Sequence, residues 1–476
     1  MIRRAVLALA LAACGGAPHA AGTPLPPEPA PEPAPAPPPA PAPAPAPPPV
    51  AARPTFPGVP ATKVGDQLAW VLDLIVHRHG QTDKDELAAH FHPSFLAQVP
   101  PEQMLSLLGQ IAGKMADLAV TGAKGDDHDL LVHATAGKDR LRIQISLDPS
   151  SGLIQGLLFQ PDVDLGPKPA SFDEVQQRAA ALAPKVQYLV AELDKGTCKP
   201  LHELAPRDEL ALGSAFKLYV LLGVADKVIA GKLGWDDQVA IRDDWKSLPS
   251  GTTQNEPAGT KLSVRELAQR MISISDNTAA DHLLYTIGRP AAEAALREAH
   301  HAHPELDVPF LSTRELFLFK LGMPEAEIAR YLAMSPARRR SYLDKTLAGK
   351  APDLSGAAAW TTARHIDKLE WFASADDMCR VMATLWQRGQ DPKAQPVFDI
   401  LGKNPGLPID HKVWPYAGFK GGSEPGVVNM TYLLRRDDDK WFVVTFGFNA
   451  ANGGTLEEDK IFGLVAGTIA LLGEQR

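Results

Sequence analysis

Hydrophobic and polar positions change their spacing along the chain, and each change marks a different kind of structure. Between residues 64 and 115 apolar side chains recur at helical intervals, first Leu68, Val71, Leu72 and Ile75, then Met104, Leu107, Leu108 and Ile111, which predicts amphipathic helices. From Leu118 to Gln160 the spacing falls to two. Leu130, Val132 and Ala134 are followed by Leu141, Ile143, Ile145 and Leu147, with turns at Gly137 and Ser150-Ser151-Gly152, and this predicts an antiparallel meander. Helices followed by strands make a small α+β unit, residues 62–166. Pro161 to Pro169 interrupts the pattern, and Ser171-Phe172-Asp173-Glu174 then starts a helix in the manner of a capping box. The segment 170–476 opens on a strand, Val186 to Leu193, and turns at Asp194-Lys195-Gly196. It closes on two strands, Val427 to Arg435 and Trp441 to Phe448, and a helix from Asp459 to Leu472. Strands at both ends with helices between them predict an antiparallel sheet packed by helices, again an α+β arrangement.

The first sixty residues follow neither spacing. Arg3 and Arg4 precede an apolar stretch from Ala5 to Ala13 that is too short to span a bilayer, the layout of a signal peptide over 1–13. Leu11-Ala12-Ala13-Cys14-Gly15 resembles a bacterial lipobox, which implies cleavage before Cys14 and lipid attachment there. Several acyl chains would give lasting membrane anchorage where one alone binds marginally. Residues 14–61 then form a Pro/Ala-rich linker, where much of the chain's total of 44 prolines lies. Such a tract cannot bury a core and extends as polyproline II, reaching on the order of 100 Å at ~3.1 Å per residue. The expected location is therefore outside the cytoplasm, on a membrane facing the periplasm or cell surface.

Charge and cysteine narrow the partners. A net charge of -8 with no basic run offers no footprint for nucleic acid. Only Cys14, Cys198 and Cys379 occur, too few for a disulfide framework. Cys198 falls in an expected hairpin turn and Cys379 in an expected helix, and whether they pair depends on a Cα separation that the sequence does not contain.

Three short motifs carry candidate chemistry. Ser214-Ala215-Phe216-Lys217 opens an apolar helix, where positions three apart share a face, so the amine of Lys217 can approach the hydroxyl of Ser214. A serine hydroxyl needs a base, and a lysine serves only when its pKa is lowered. Taken alone, the pair reads equally as a helix cap beside a solvated lysine. Ser275-Asp276-Asn277 follows a helical stretch, offering a second hydroxyl for proton transfer and a neutral amide for a substrate side chain, although all three residue types favour turns. Lys420-Gly421-Gly422-Ser423 stands just before an expected sheet edge. A cation there attracts a carboxylate, and the glycines allow close approach of a substrate backbone.

In this order the motifs resemble the penicillin-recognising serine hydrolases, and the stretch Leu262 to Leu284 looks most like class A β-lactamases. The small leading domain, broadly like the nuclear-transport-factor-2-like fold, and the lipobox further resemble a two-domain lipoprotein group that includes cephalosporin-esterase and LpqF-like proteins. The resemblance implies a β-lactamase/transpeptidase-like domain over 170–476. It implies Ser214 as nucleophile, Lys217 as its base, Ser275 as proton relay, Asn277 as a substrate-binding amide and Lys420 as a fixed positive charge. Gly421, Gly422 and Ser423 would line the substrate, with the backbone N–H groups of Ser214 and Ser423 forming an oxyanion hole.

Two departures stand out. Gly421 replaces the hydroxyl residue of the third motif, and the segment from Asn277 to Lys420 is long, with a helical insertion from Ser312 to Gly349. The class A Glu-x-x-x-Asn pair that holds the hydrolytic water is missing, since Ile400 stands four before Asn404. Two glutamates compete for the place: Glu315 reads first as a helix cap after Ser312, and Glu370, just before the helix that starts near Ser374 where the resemblance puts the class A loop, fits better as the water-activating base, with a surface role as its equal alternative.

The expected activity is β-lactam hydrolysis through an acyl-enzyme. An esterase or D-Ala-D-Ala-type peptidase with the same machinery is the alternative, and a non-catalytic cell-wall-binding lipoprotein is the reading from another class. A monomer without cofactor or metal is expected, with His300, His301 and His303 forming a solvated face that has no distant ligand set.

Overall fold

A computed structural model describes residues 55–475 apart from 114, 138, 163–164, 249, 351–359 and 452–453. The expected signal segment, Cys14 and the linker up to residue 54 lie outside the described residues. The chain divides after Asp162 into two compact units.

In the first unit, helices at Lys63–Val76, Lys84–His90, Pro93–Gln98 and Pro101–Ala112 precede the strands β1 (Ala119–Gly125), β2 (Asp129–Ala136), β3 (Asp139–Leu147) and β4 (Ile154–Pro161). Thr62 and Asp83 cap the first two helices through their side-chain oxygens, supplying partners for backbone N–H groups that the helix leaves open. The strands form a four-stranded meander in chain order. Leu130, Val132, Ala134, Leu141, Ile143 and Ile145 pack on Leu68, Leu72 and Ile75 from the first helix, so the period-two and period-3.6 patterns close on one core.

The second unit is built on five antiparallel strands: β5 (Lys185–Asp194), β6 (Thr197–Leu204), β7 (Tyr416–Glu424), β8 (Val427–Arg435) and β9 (Trp441–Asn449). Their order in the sheet is β7-β8-β9-β5-β6, so the two ends of the segment meet where β9 pairs with β5. Both faces are covered. Tyr188, Val190, Tyr432, Leu434 and Val444 meet Phe172, Val175, Ile461 and Val465 from the helices Phe172–Leu182 and Glu458–Glu474. Leu189, Ala191, Leu433 and Val443 meet the helices Lys217–Ile229, Val264–Ser273, Asn277–Ile287 and Ala375–Gly389. A sheet buried on two sides takes nearly continuous apolar strands, and β8 is buried over eight of its nine residues.

Two local expectations are corrected. Cys198 is a strand residue in β6 and not part of the turn, and it is disulfide-bonded to Cys379 on the Ala375–Gly389 helix, with Cα atoms 6.3 Å apart. The Lys-Gly-Gly-Ser motif lies inside the edge strand β7 rather than before it.

Candidate active site

The turn that carries Ser214 is shaped by its neighbours. Gly213 adopts φ +52°, the left-handed region that glycine enters without a Cβ penalty, and residues Gly213–Phe216 form one 3-10 turn before the helix Lys217–Ile229. Leu212 N donates to Trp371 O at 2.9 Å, and the Trp371 ring stacks on Phe216 with centroids 3.6 Å apart. Within this buried turn Ser214 alone keeps partial exposure. On the other side stands β7. A Cβ on Gly422 would lie 2.0 Å from Leu212 O and 2.6 Å from Ser214 N, so only glycine permits the strand to lie this close. A Cβ on Gly213 would in turn come within 3.0 Å of Ser423 N. The backbone amides of Ser214 and Ser423 therefore border one small space.

The three motifs meet at Lys217. Its side chain is wholly buried, and its Nζ lies 2.6 Å from Ser275 O, 2.6 Å from Asn277 Oδ1, 3.1 Å from Ser214 Oγ and 3.2 Å from Ser275 Oγ. Burial pulls its pKa down to about 7 against the opposing pull of Asp276 and Asp281. Lys420, also buried, donates to Ser275 Oγ at 3.1 Å and to Gly421 O at 2.5 Å. Burial lowers its pKa too, and the positive charge of Lys217 adds to the shift. Ser275 sits at φ +56°, an uncommon conformation for a non-glycine residue and of a kind that concentrates at functional sites. It places the hydroxyl between the two amines. Asn277 begins the Asn277–Ile287 helix, capped by Asp276. Its Oδ1 is taken by Lys217, and its Nδ2 donates to Leu248 O at 3.0 Å, leaving one N–H of its amide.

Ser214, Lys217, Ser275, Asn277, Lys420, Gly421, Gly422 and Ser423 are thus gathered at one place. Glu370 is not brought to them. Its buried carboxylate faces Lys320 and accepts from Trp371 N, because the chain before Phe372 turns it into the packing between the insertion and the sheet. Glu315 completes a capping box with Ser312 and pairs with Arg289 at 2.7 Å. Among the described residues no carboxylate hydrogen-bonds to Ser214, Lys217, Ser275 or Lys420.

Two features escaped the motif reading. Ser250 donates to Ser275 O at 2.5 Å, and Asp276 holds the same loop by accepting from Thr252 N and Thr253 N; the Ser-Gly turn at 250–251 was the sole signal. The second feature is a correction. His301 is buried rather than solvated, and its ring lies with Glu209 and Asp377 in one group whose donor atoms fall within 4.8 Å of one another. A distant ligand set does exist in space. Two of its three members are engaged, though: the His301 nitrogens meet Phe372 O and His303 N, and Asp377 accepts from Ser374, Ala302 and Arg380, while burial pushes the Glu209 carboxyl up. The donor set therefore fits a proton better than a metal.

Residues 171–466 match the family described as Beta-lactamase enzyme family. The chain belongs to that family. A second match, to the family described as ORF 12 gene product N-terminal, covers residues 59–154. Among solved structures, PBP-A is 15% identical with a TM-score of 0.43, covering 64% of this chain and 98% of its own. A beta-lactamase from Sphaerobacter thermophilus is 18% identical, with a TM-score of 0.42 and coverage of 63% and 96%. The class A beta-lactamase of the last common ancestor of Gram-negative bacteria is 18% identical, with a TM-score of 0.44 and coverage of 63% and 98%. The antiparallel sheet with helices on both faces is the β-lactamase/transpeptidase-like α+β fold.

Proposed function

We propose that this beta-lactamase family member is a serine hydrolase that forms an acyl-enzyme on Ser214 and acts on β-lactams. The observation that carries the reading is the set of contacts around Lys217 Nζ. Its two shortest contacts, both 2.6 Å, are to oxygens that only accept, Ser275 O and Asn277 Oδ1. A neutral amine has two N–H bonds to give them, which leaves its lone pair for the hydroxyl of Ser214. Lys217 then takes the Ser214 proton as Oγ bonds to the substrate carbonyl carbon, and the oxyanion lies between the Ser214 and Ser423 N–H groups. When the C–N bond breaks, the proton passes from Lys217 through Ser275 Oγ to the departing nitrogen, with Lys420 Nζ holding the Ser275 hydroxyl from its other side. Asn277 would offer its remaining N–H to the substrate side chain.

An esterase or D-Ala-D-Ala-type peptidase uses the same first half. It gains support from Gly421, which brings no hydroxyl to a substrate carboxylate, and from the site contacts, in which no carboxylate among the described residues hydrogen-bonds to Ser214, Lys217, Ser275 or Lys420. For the same reason deacylation should be slow, and acyl-enzyme should accumulate as a burst before turnover. Intact-mass measurement after exposure to a penicillin, a cephalosporin and a fluorophosphonate tests the reading. Adducts from all three that vanish in Ser214→Ala are expected, whereas labelling by the fluorophosphonate alone points to an esterase, and no adduct at all points to a binding protein.

Export and anchorage at Cys14, with a monomeric catalytic unit, complete the proposal. The Cys198–Cys379 disulfide supports an oxidising compartment. Partition of the full chain into detergent, with acyl mass on Cys14, is the check.

A further inference from the structure

Among the described residues Lys320, on the insertion helix Thr313–Gly322, is the one buried lysine outside the site. Its ammonium contacts two carboxylates: Glu424 at 2.5 Å, and Glu370. The side chains of Lys320 and Glu370 are fully buried and that of Glu424 nearly so. Burying three ionisable groups is costly, and hydrophobic residues of the same volume often serve stability as well or better. Stability alone therefore gives a weak reason for the cluster.

Its position gives a stronger one. Glu424 is the last residue of β7, directly after Ser423. Glu370 directly precedes Trp371, whose carbonyl accepts from Leu212 N and whose ring stacks on Phe216. One ammonium thus ties together the strand end that bears the Ser423 amide and the segment against which the Ser214 turn rests. Those are the two sides of the proposed oxyanion hole. Burial pushes the Glu424 carboxyl well up, with the Glu370 charge adding to it. Burial would lower the Lys320 pKa, but its neighbours, Glu370 first and Glu424 next, outweigh it and keep the ammonium charged.

We propose that Lys320 is a positioning residue for acylation, clamping Glu424 and Glu370 so that the Ser214 and Ser423 amides keep the spacing that an oxyanion requires. The inference rests on Ser214 being the nucleophile. It also assigns a task to the insertion, which brings Lys320 to a place that a shorter connection would leave empty.

The clamp acts on the transition state and not on ground-state binding, so it should appear in the maximal acylation rate rather than in affinity. The test compares fluorophosphonate labelling of the full chain with that of Lys320→Met/Glu370→Gln/Glu424→Gln, which removes the ammonium and both carboxyl groups at nearly constant volume. A fall of at least tenfold in the maximal labelling rate is expected, with the half-saturating probe concentration within twofold and the pH midpoint of labelling unchanged, since Lys217 is untouched. Should the triple variant fail to fold, Glu424→Met alone keeps the Lys320–Glu370 pair and removes the acceptor at the strand end, and a fall of threefold or more is expected. A folded variant of either kind that labels at the full-chain rate overturns the clamp. Absence of labelling in the unaltered chain would instead overturn the assignment of Ser214.

Discussion

Lys217 and Glu209 show how burial shifts protonation in opposite directions within one unit. Lys217 falls to about 7 because its charged form is desolvated. Its neutral form is the base, so the acylation rate constant should rise roughly tenfold per pH unit below pH 7 and level off above it. Fluorophosphonate labelling measured from pH 5 to 9 checks this, and a flat profile would remove Lys217 as the base. Glu209 rises to about 8, by burial first and then by the neighbouring Asp377. Neither of its carboxylate oxygens has a hydrogen-bond partner, while Asp377 is fully engaged, which favours a proton on Glu209. The sign follows from linkage. Between the ordinary value of 4.5 and about 8 the folded chain holds a proton that the unfolded chain has released, so stability falls as pH rises through that window. Thermal melts of Glu209→Gln should lose this part of the slope; melts that stay parallel to the unaltered chain from pH 5 to 8 would assign the proton elsewhere.

Among elements, the edge strand β7 and the disulfide make the sharpest claims. Gly422→Ala would press a methyl group against Leu212 O and Ser214 N, both backbone atoms with little freedom to yield. A loss of ~1–3 kcal/mol, the usual range for overpacking, and at least a tenfold loss of labelling are expected. In Gly421→Ala the nearest atom is the ring Cζ of Phe419 at 2.8 Å, a side chain that can swing aside. This variant should label almost normally, and equal damage from the two would show that close approach is not what Gly422 provides. The Cys198–Cys379 bond joins the edge strand β6 to a core helix across 181 residues. Closing so long a loop restricts the unfolded chain, and its reduction should cost ~2–4 kcal/mol in denaturant unfolding. The site residues lie on other elements, so labelling of the folded reduced form should persist.

For the whole molecule, the division after Asp162 leaves every residue of the site within the second unit. Each unit has its own hydrophobic cluster. A chain beginning at residue 165 should therefore fold, form the disulfide and label at Ser214 within about threefold of the full chain, since every hydrogen bond described at the site arises within that unit. Failure to fold, or loss of labelling in a folded fragment, would show that the first unit is needed for catalysis. Retention of both would direct attention to targeting or partner binding as its role.

Much of this arrangement is legible without coordinates because it is local. A Ser and a Lys three apart on a helix share a face whatever surrounds them, and the meander from Leu118 to Gln160 follows from alternation and turn residues. The strands at both ends of the second unit are similarly visible as apolar runs. What tertiary structure decides is pairing at a distance. Lys320 meets Glu370 across 50 residues and Glu424 across 104, and the disulfide spans 181. None of these contacts leaves a periodic trace, because each pairs a helix residue with a strand or connecting segment far away in sequence that only the packed fold brings near. Glu370 and His301 were misplaced for the same reason. Their polarity suggests a reactive or solvated position, and only the packing of the insertion and of the Ala375–Gly389 helix turns the one toward an ammonium and buries the other.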